Sequence, residues 1–234
     1  MDALKRKIKK AVQNPALILE HLTKKNYGWA DKNGLKVKKY SNYNEYVRHQ
    51  RSKLYKVIGS LESYDTQYRE VLHKRLIAGG IVQPSMNVLC LAARIGTEVK
   101  AFIDLGCFAI GIDLNPGENN KYVVTGDFHH IVFADHSVDV VFSNSIDHVF
   151  DLDAFLSEIK RVLKPTGHLI LEIVKGENEG IQGGYYESIA WNTVGDLVKM
   201  ISARGFSIES RKDFEYPWFG EHVCFRVTAK NNEK

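Results

Sequence analysis

From Asn87 onward the chain alternates short runs of β-branched and other apolar residues with helical periods. This alternation is typical of a doubly wound α/β sheet, in which strands and amphipathic helices follow one another. It predicts seven strands, at residues 88–91, 107–112, 122–125, 138–143, 168–173, 206–214 and 222–229. The loop between the last two strands holds Pro217 and Gly220 and has no helical period, so we expect an antiparallel C-terminal hairpin at the edge of a mostly parallel sheet.

Two core-facing helices are predicted between these strands, because apolar residues recur there every three or four positions. One stripe consists of Leu152, Phe155, Leu156, Ile159, Val162 and Leu163, and the other of Val194, Leu197, Val198 and Ile201. We expect both stripes to face the sheet.

The N-terminal part of the chain has a different pattern. Residues 2–12 place apolar side chains on one face of a helix and lysine and arginine on the rest, and Asn14 followed by Pro15 starts a second short helix that runs to about residue 25. Helical stretches are also predicted at 46–58 and 65–77. Two interpretations of the first pair stay open: a peripheral contact with anionic lipid or nucleic acid, or a solvated pair packed on its own domain.

The charge changes between the two parts. Residues 1–60 hold 15 Lys and Arg against 4 Asp and Glu, a net charge of +11, and the rest of the chain carries −7. Together with the change of pattern near Pro84, this predicts a basic helical N-terminal extension, residues 1–84, before a Rossmann-like domain, residues 85–234. Six tyrosines between residues 40 and 68 are interpreted as packing residues or as part of a lid over a ligand.

Composition narrows the class of protein. With 44% hydrophobic and 26% charged residues, the chain can bury a core and is not a disordered tail. It shows no apolar run of bilayer length and no secretory signal, so we expect a cytoplasmic protein. The three cysteines, Cys90, Cys107 and Cys224, lack metal-ligand spacing and are interpreted as small buried hydrophobes, and no metal is expected.

Candidate chemistry lies at the end of the first predicted strand. In such sheets the ligand binds beyond the carboxyl ends of the strands, where the first strand turns into its helix. That turn, residues 92–96, contains small residues and ends in Gly96, and Asp113 closes the second strand. A carboxylate there can accept both hydroxyls of a ribose, although Asp113 in an Asp-Leu-Asn-Pro-Gly sequence is also an ordinary turn residue. The pairing favours an adenosine-type ligand.

Four segments together resemble the class I (Rossmann-like) S-adenosylmethionine-dependent methyltransferases, from about residue 88 to residue 229. They are VLCLAARIG at 88–96, GIDL at 111–114, GDF at 126–128 with the approach to the fourth strand, and RVLKPTGHLI at 161–170. The resemblance implies S-adenosylmethionine as cofactor and a methyltransferase activity. The fourth segment is the most specific of the four. A dinucleotide dehydrogenase is a weaker match, because this chain lacks the G-x-G-x-x-G spacing of such enzymes and because the fourth segment would then be unexplained.

The first segment departs from the family pattern, which begins with an acidic residue and has three glycines. This chain has Cys90 in place of the acid and Ala92, Arg94 and Gly96 in place of the glycines. Three interpretations of Arg94 stay open: it pairs with the methionine carboxylate of the cofactor, with Glu98 one turn on orienting it; it forms a structural salt bridge; or it blocks the site.

The resemblance assigns candidate site residues. The cofactor-binding candidates are Ala92, Ala93, Arg94, Gly96, Asp113, Leu114, Asp127, Phe128 and Asn144. A hydroxyl acceptor needs a base, for which His148 is the first candidate and Asp147 the second, with packing as the alternative for His148. Segment 176–186 contains four glycines and is interpreted as a mobile flap, with Tyr185 and Tyr186 over the acceptor, or as a disordered connector.

These observations favour a methyltransferase that acts on a hydroxyl of a glycan or small metabolite. A degenerate, non-catalytic scaffold is the first alternative because of Arg94 and the missing glycines. RNA methylation is a second alternative because of the basic N-terminal part, but the catalytic part is acidic and shows no base-stacking motif, so nucleic acid is the weaker choice.

Overall fold

The computed structural model describes residues 25–57 and 61–228. Its centre is a seven-stranded sheet in the order β5-β4-β3-β6-β7-β10-β9. The strands are β3 (Asn87–Leu91), β4 (Phe108–Asp113), β5 (Val123–Thr125), β6 (Val138–Ser143), β7 (Leu163–Val174), β9 (Phe206–Phe214) and β10 (Gly220–Val227). β3 to β7 are parallel, and β10 runs antiparallel to both β7 and β9. The predicted seven-stranded sheet with its C-terminal hairpin is confirmed.

Helices cover both faces of this sheet. They are α1 (Tyr43–Val57), α2 (Leu61–Gly79), α3 (Thr97–Asp104), α4 (Leu152–Val162) and α5 (Val194–Ser202). The predicted apolar stripes of α4 and α5 are buried in one core, and α2 and α3 supply the other. None of these described helices combines the length and apolar composition that a bilayer crossing needs.

The packing of α2 does not divide at residue 84. Tyr68, Leu72 and Leu76 of this helix are fully buried and share a core with Val88 and Phe102, which lie beyond that residue. The division into residues 1–84 and 85–234 therefore stays a prediction. The two predicted helices within residues 2–25 lie almost wholly outside the described residues.

A second, three-stranded antiparallel sheet was not predicted. It consists of β1 (Trp29–Lys32), β2 (Leu35–Lys38) and β8 (Ile189–Ala190), in that order. Val37 of β2 pairs with Ile189 of β8, so the N-terminal part of the chain is joined to the segment that follows β7. This sheet holds α1 over the carboxyl ends of the parallel strands.

The parallel strands place a crevice at the carboxyl end of β3. This strand pairs with β4 on one side and with β6 on the other, and the chain winds outward in both directions from it. The loops after β3, β4 and β6 therefore diverge and leave an open edge, the place where doubly wound sheets bind their ligands.

Candidate active site

The turn after β3 has the backbone of a glycine-rich loop without its glycines. Ala92 and Arg94 have φ angles of 55° and 44°, in the left-handed region that glycine adopts with the least strain. Gly96 has a φ of 82°, and a Cβ there would lie 2.6 Å from the Cβ of Tyr122. The chain therefore keeps the family's loop conformation, at the expense of strain at two non-glycine residues.

Asp113, at the end of β4, is bound to this turn. Its Oδ2 accepts a hydrogen bond from the backbone N–H of Arg94 at 3.0 Å, and its Oδ1 accepts one from the N–H of Asn115 at 2.7 Å. The carboxylate lines a narrow cavity of about 50 Å³. Each carboxylate oxygen has a second lone pair, so Asp113 can still accept hydrogen bonds from a ligand.

A larger cavity of about 310 Å³ adjoins the narrow one. Five residues line both cavities: Lys53, Ala92, Arg94, Ser145 and His148. The larger cavity is also bounded by the predicted site residues Ala93, Asn144 and Asp147, and by aromatic side chains from two distant loops, Trp191 and Trp218. The two cavities together follow the edge of the sheet from Asp113 to the loop after β6.

Arg94 faces both cavities. Within the described part of the chain, no carboxylate lies within ion-pair distance of its guanidinium, and Glu98 does not pair with it. The structural salt bridge that was one interpretation of Arg94 is therefore not formed among these residues. The guanidinium leaves the larger cavity open, so it does not fill the site.

A chain of buried polar side chains forms one wall of the larger cavity. Asn144 donates from Nδ2 to Glu98 Oε1 at 2.8 Å and to the Tyr68 hydroxyl at 3.1 Å. The Tyr68 hydroxyl in turn donates to Glu172 Oε2 at 2.6 Å. Burial raises the pKa of Glu98 to about 7, against weaker opposite effects of a hydrogen bond from its own backbone N–H, of the Asn144 hydrogen bond and of the charge of Arg94.

His148 lies between the two cavities with both ring nitrogens engaged. Its Nδ1 donates to the backbone carbonyl of Tyr186 at 2.9 Å, and its Nε2 contacts Lys53 Nζ. Burial, followed by the charge of Lys53, lowers the pKa of His148 to about 3. Burial also lowers the pKa of Lys53, to about 8, and Arg94 adds to that effect. The imidazole is therefore neutral at neutral pH, but it is a weak base as long as it is buried against the charge of Lys53.

Two carboxylates complete this cluster. Asp147 and Glu187 each offer an oxygen, and with a ring nitrogen of His148 these atoms lie within 4.8 Å of one another. Such a set resembles a metal site. However, Nδ1 of His148 is bound to a carbonyl, so only Nε2 is left to ligate, and Lys53 contacts that atom. The lysine ammonium thus supplies the positive charge for these groups, and burial raises the pKa of Asp147 despite it.

The remaining predicted cofactor residues occupy different places. Leu114 and Phe128 line the narrow cavity beside Asp113. Asp127 lines neither cavity: its carboxylate accepts hydrogen bonds from the Tyr43 hydroxyl and from His129, whose backbone N–H is 2.9 Å away. Its role in cofactor binding stays a prediction. His129 is buried and hydrogen-bonded, and His130 is exposed.

Tyr185 and Tyr186 also line neither cavity. Tyr186 is buried and stacks on His49 of α1, with ring centroids 4.9 Å apart, and its carbonyl accepts hydrogen bonds from His148 and Gln50. Segment 176–186 has defined contacts, including a 3-10 turn at Glu177–Glu179, in contrast to the disordered connector that was one interpretation. A contact of the two tyrosines with an acceptor stays a prediction.

The contribution of α1 to the cavity walls was not predicted. Tyr46, Gln50 and Lys53 line the narrow cavity, and Lys53 lines the larger one as well. These residues are four and three positions apart, so they share one helix face. The signal in the sequence was the placement of Gln50 and Lys53 on the same helix face as Tyr46, which is typical of a helix that covers a polar site. Glu187, which follows the two tyrosines and lines the larger cavity, was also not predicted.

Comparison with known proteins agrees with this geometry. Residues 89–171 match the family model described as a methyltransferase domain. Over these residues the chain is similar to a methyltransferase domain. Over 98 residues the chain is 34% identical to a demethylmenaquinone methyltransferase of Thermobifida fusca, a match that covers 36% of this chain and 42% of that protein. The chain thus spans less than half the length of this curated relative.

Solved structures agree with the expected fold. The 1,6-didemethyltoxoflavin-N1-methyltransferase of Burkholderia thailandensis, determined with S-adenosylhomocysteine, superposes with a TM-score of 0.66 at 14% identity, covering 88% of this chain and 100% of that one. A SAM-dependent methyltransferase of Aquifex aeolicus gives a TM-score of 0.55 at 16% identity, covering 67% and 89%. The fold that the resemblance implied is confirmed.

Proposed function

We propose that this chain is an S-adenosylmethionine-dependent methyltransferase that methylates a hydroxyl of a small molecule or glycan unit held in the larger cavity. The observation that carries the proposal is the pair of adjoining cavities at the end of β3, with Asp113 at one end and the unpaired guanidinium of Arg94 between them. A scaffold protein that had lost its cofactor would not need to keep this edge open.

The residues present fit the cofactor. Asp113 offers carboxylate oxygens for ribose hydroxyls, and Leu114 and Phe128 offer apolar surface beside it. Arg94 faces both cavities and can form a charge-assisted contact with the methionine carboxylate. When bound, S-adenosylmethionine supplies a methyl group that its sulfonium has already activated.

The other residues exclude water and handle the acceptor's proton. α1 covers the narrow cavity through Tyr46 and Gln50, and Trp191 and Trp218 wall the larger one, so a bound acceptor is shielded from solvent. An attacking hydroxyl must lose its proton. His148 is neutral and lies at the junction of the cavities, and Lys53 must move away from Nε2 before that atom can take a proton.

The size of the larger cavity supports a small acceptor. The cavity holds about 310 Å³, part of which the amino acid end of the cofactor would occupy, so the space left suits a small acceptor. The Burkholderia neighbour is named as a methyltransferase of 1,6-didemethyltoxoflavin, which is likewise a small molecule. Contact with a membrane through the basic helix at residues 2–12 stays a prediction.

Calorimetry with S-adenosylhomocysteine, followed by transfer of a labelled methyl group to a panel of hydroxyl compounds and their amine analogues, tests the proposal. We expect binding by the wild-type chain and labelling of a hydroxyl compound. Absence of binding would favour the scaffold, and labelling of an RNA oligonucleotide alone would favour RNA methylation.

His148→Ala tests the role of the imidazole. We expect turnover to fall by roughly 100-fold, as for loss of a general base, with S-adenosylhomocysteine affinity close to wild type. His130→Ala, at an exposed histidine, is the matched control. Turnover that survives His148→Ala intact would show that no base is needed at this position.

A further inference from the structure

The acidic residue with which the family's first motif begins is absent from this chain, because Cys90 stands in its place. Cys90 is fully buried in β3, and burial raises the pKa of its thiol well above the usual value. A neutral thiol cannot balance a positive charge. A methyltransferase with this substitution needs another anion near the turn after β3, if the cationic end of its cofactor is to be paired.

Glu98 is a carboxylate in a suitable place. It lies in the first turn of α3, directly after the turn at residues 92–96, and lines the larger cavity. It is only 6% exposed. Its described hydrogen-bond partners, its own backbone N–H and the amide of Asn144, are neutral, and no lysine, arginine or histidine of the described ranges lies within ion-pair distance of it. A buried carboxylate without a cation is costly unless a ligand supplies one.

Arg94 is the complementary case on the same wall. It is a cation that faces the same cavity and has no carboxylate partner within residues 25–57 and 61–228. Glu98 and Arg94 are four residues apart, yet the left-handed turn at Arg94 and Gly96 separates their charged groups beyond ion-pair distance. The protein therefore presents one positive and one negative group, both unpaired, at the same cavity.

We propose that Glu98 and Arg94 form a clamp for a zwitterionic α-amino acid group, with Glu98 binding the ammonium and Arg94 the carboxylate. The proposal rests on the proposed function, because it takes this group to be the methionine end of the cofactor. Glu98 thus supplies, from the first turn of α3, an acidic side chain beside a turn whose own strand carries Cys90. Asn144 orients the carboxylate by its hydrogen bond to Oε1.

The clamp differs from the earlier interpretation of Glu98 as a residue that orients Arg94. An orienting carboxylate would contact the guanidinium and share its charge. The structure instead joins Glu98 to Asn144 and, through the Tyr68 hydroxyl, to the wall that ends at Glu172. The two roles predict different effects of ligand structure on affinity.

The test measures by calorimetry how three variants bind ligands that carry or lack the α-amino acid group. S-adenosylhomocysteine carries the α-amino acid group, and 5′-methylthioadenosine has the same nucleoside and a thioether but lacks that group. Glu98→Gln keeps an oxygen that can accept from Asn144 and removes only the charge, Arg94→Gln removes the positive charge, and Glu70→Gln, at an exposed glutamate on α2, is the control.

We expect Glu98→Gln and Arg94→Gln each to weaken S-adenosylhomocysteine binding by roughly 10- to 100-fold, the loss typical of one charged hydrogen bond. Affinity for 5′-methylthioadenosine should stay within about twofold of wild type in all variants, since it makes no contact with the clamp. A third ligand, S-adenosylhomocysteine without its amino group, should bind wild type and Glu98→Gln equally.

The outcomes separate the clamp from the proposed function. If the wild-type chain binds neither nucleoside, the proposed function fails. If wild type binds both and Glu98→Gln leaves S-adenosylhomocysteine unchanged, or weakens both ligands alike, the clamp is refuted while the methyltransferase stands. Circular dichroism of each variant confirms that the fold is retained.

Discussion

Single residues in the turn after β3 show how a motif can change its sequence and keep its geometry. Ala92 and Arg94 adopt positive φ angles where the family has glycines, and Gly96 remains where a Cβ would collide with Tyr122. A side chain is thus tolerated at positions where only backbone strain opposes it, and excluded where space is lacking. Arg94, at one of these strained positions, places a positive charge at both cavities.

Asp113 gives the first prediction at this scale. We expect Asp113→Ala to weaken S-adenosylhomocysteine binding by roughly 10- to 100-fold, because the carboxylate is the acceptor assigned to the ribose. Calorimetry measures the change. Asp113→Asn keeps one acceptor oxygen and should lose less affinity, and Asp213→Ala, on the exposed strand β9, should lose none. Unchanged affinity in Asp113→Ala would refute the assignment.

The cluster around His148 shows why residue roles were only partly predictable. The histidine and Asp147 were predicted from their place after the fourth strand of the parallel series. The low pKa of His148 depends on Lys53, which is 95 positions away in the chain. No local pattern reports such a contact, because it depends on how α1 packs over the sheet.

Elements of the fold are linked by a buried ionic network. Glu172 of β7 is 1% exposed and contacts Arg75 of α2 and His222 of β10. Burial alone would lower the pKa of His222, but hydrogen bonds with Cys224 and Glu172 outweigh it and raise the pKa to about 9. Glu172, Arg75 and the Tyr68 hydroxyl thus keep the central sheet and α2 in register.

This network predicts a pH dependence of stability. The histidine is protonated in both folded and unfolded chains below pH 6.5, so its stabilising effect is complete there, and it disappears as the pH rises through about 9. We expect the difference in unfolding free energy between wild type and His222→Gln to fall by about 3 kcal/mol between pH 6 and pH 10.

Urea unfolding at several pH values measures this difference, and subtraction of the variant removes contributions from other titrating groups. His130→Gln, at an exposed histidine, is the matched control. A constant difference for His222→Gln would mean that the histidine is not protonated in the folded chain.

Most long elements were predictable and the short ones were not. The strands at Val138–Ser143 and Phe206–Phe214 have the predicted bounds, because each is an apolar or alternating run closed by turn residues. β1, β2 and β8 have four, four and two residues, too few for a periodic signal. Asn33-Gly34 between β1 and β2 is a hairpin signal that was overlooked, whereas the pairing of β2 with β8 joins distant parts of the chain and leaves no local signal.

The whole molecule consists of a sheet and an N-terminal cover that line one site together. The cleft has a floor from β3, β4 and β6 and a roof from α1, and the small sheet connects the roof to the loop after β7. A basic N-terminal part was predicted, and a lid over a ligand was one interpretation of its tyrosines. Because Lys53 of α1 lines both cavities, this cover also brings a positive charge into the site.

This arrangement predicts that ligand binding stabilises the roof. We expect S-adenosylhomocysteine to slow amide hydrogen exchange in Tyr43–Val57 and in the turn at 92–96, because both line the cavities. Exchange in Phe206–Phe214, at the far edge of the sheet, should not change. Saturating ligand without any slowing in α1 would contradict its role as a cover.

The pairing of Val37 with Ile189 has a consequence for biosynthesis. The ribosome delivers the residues of α1 early, but the strand that anchors their sheet leaves the exit tunnel about 150 positions later. During translation the nascent chain can assemble β3, β4 and β6 and bring Tyr43 of α1 to Asp127 before the small sheet is complete. A truncated translation product that ends before Ile189 would therefore lack the strand pairing that joins the roof of the cleft to the loop after β7.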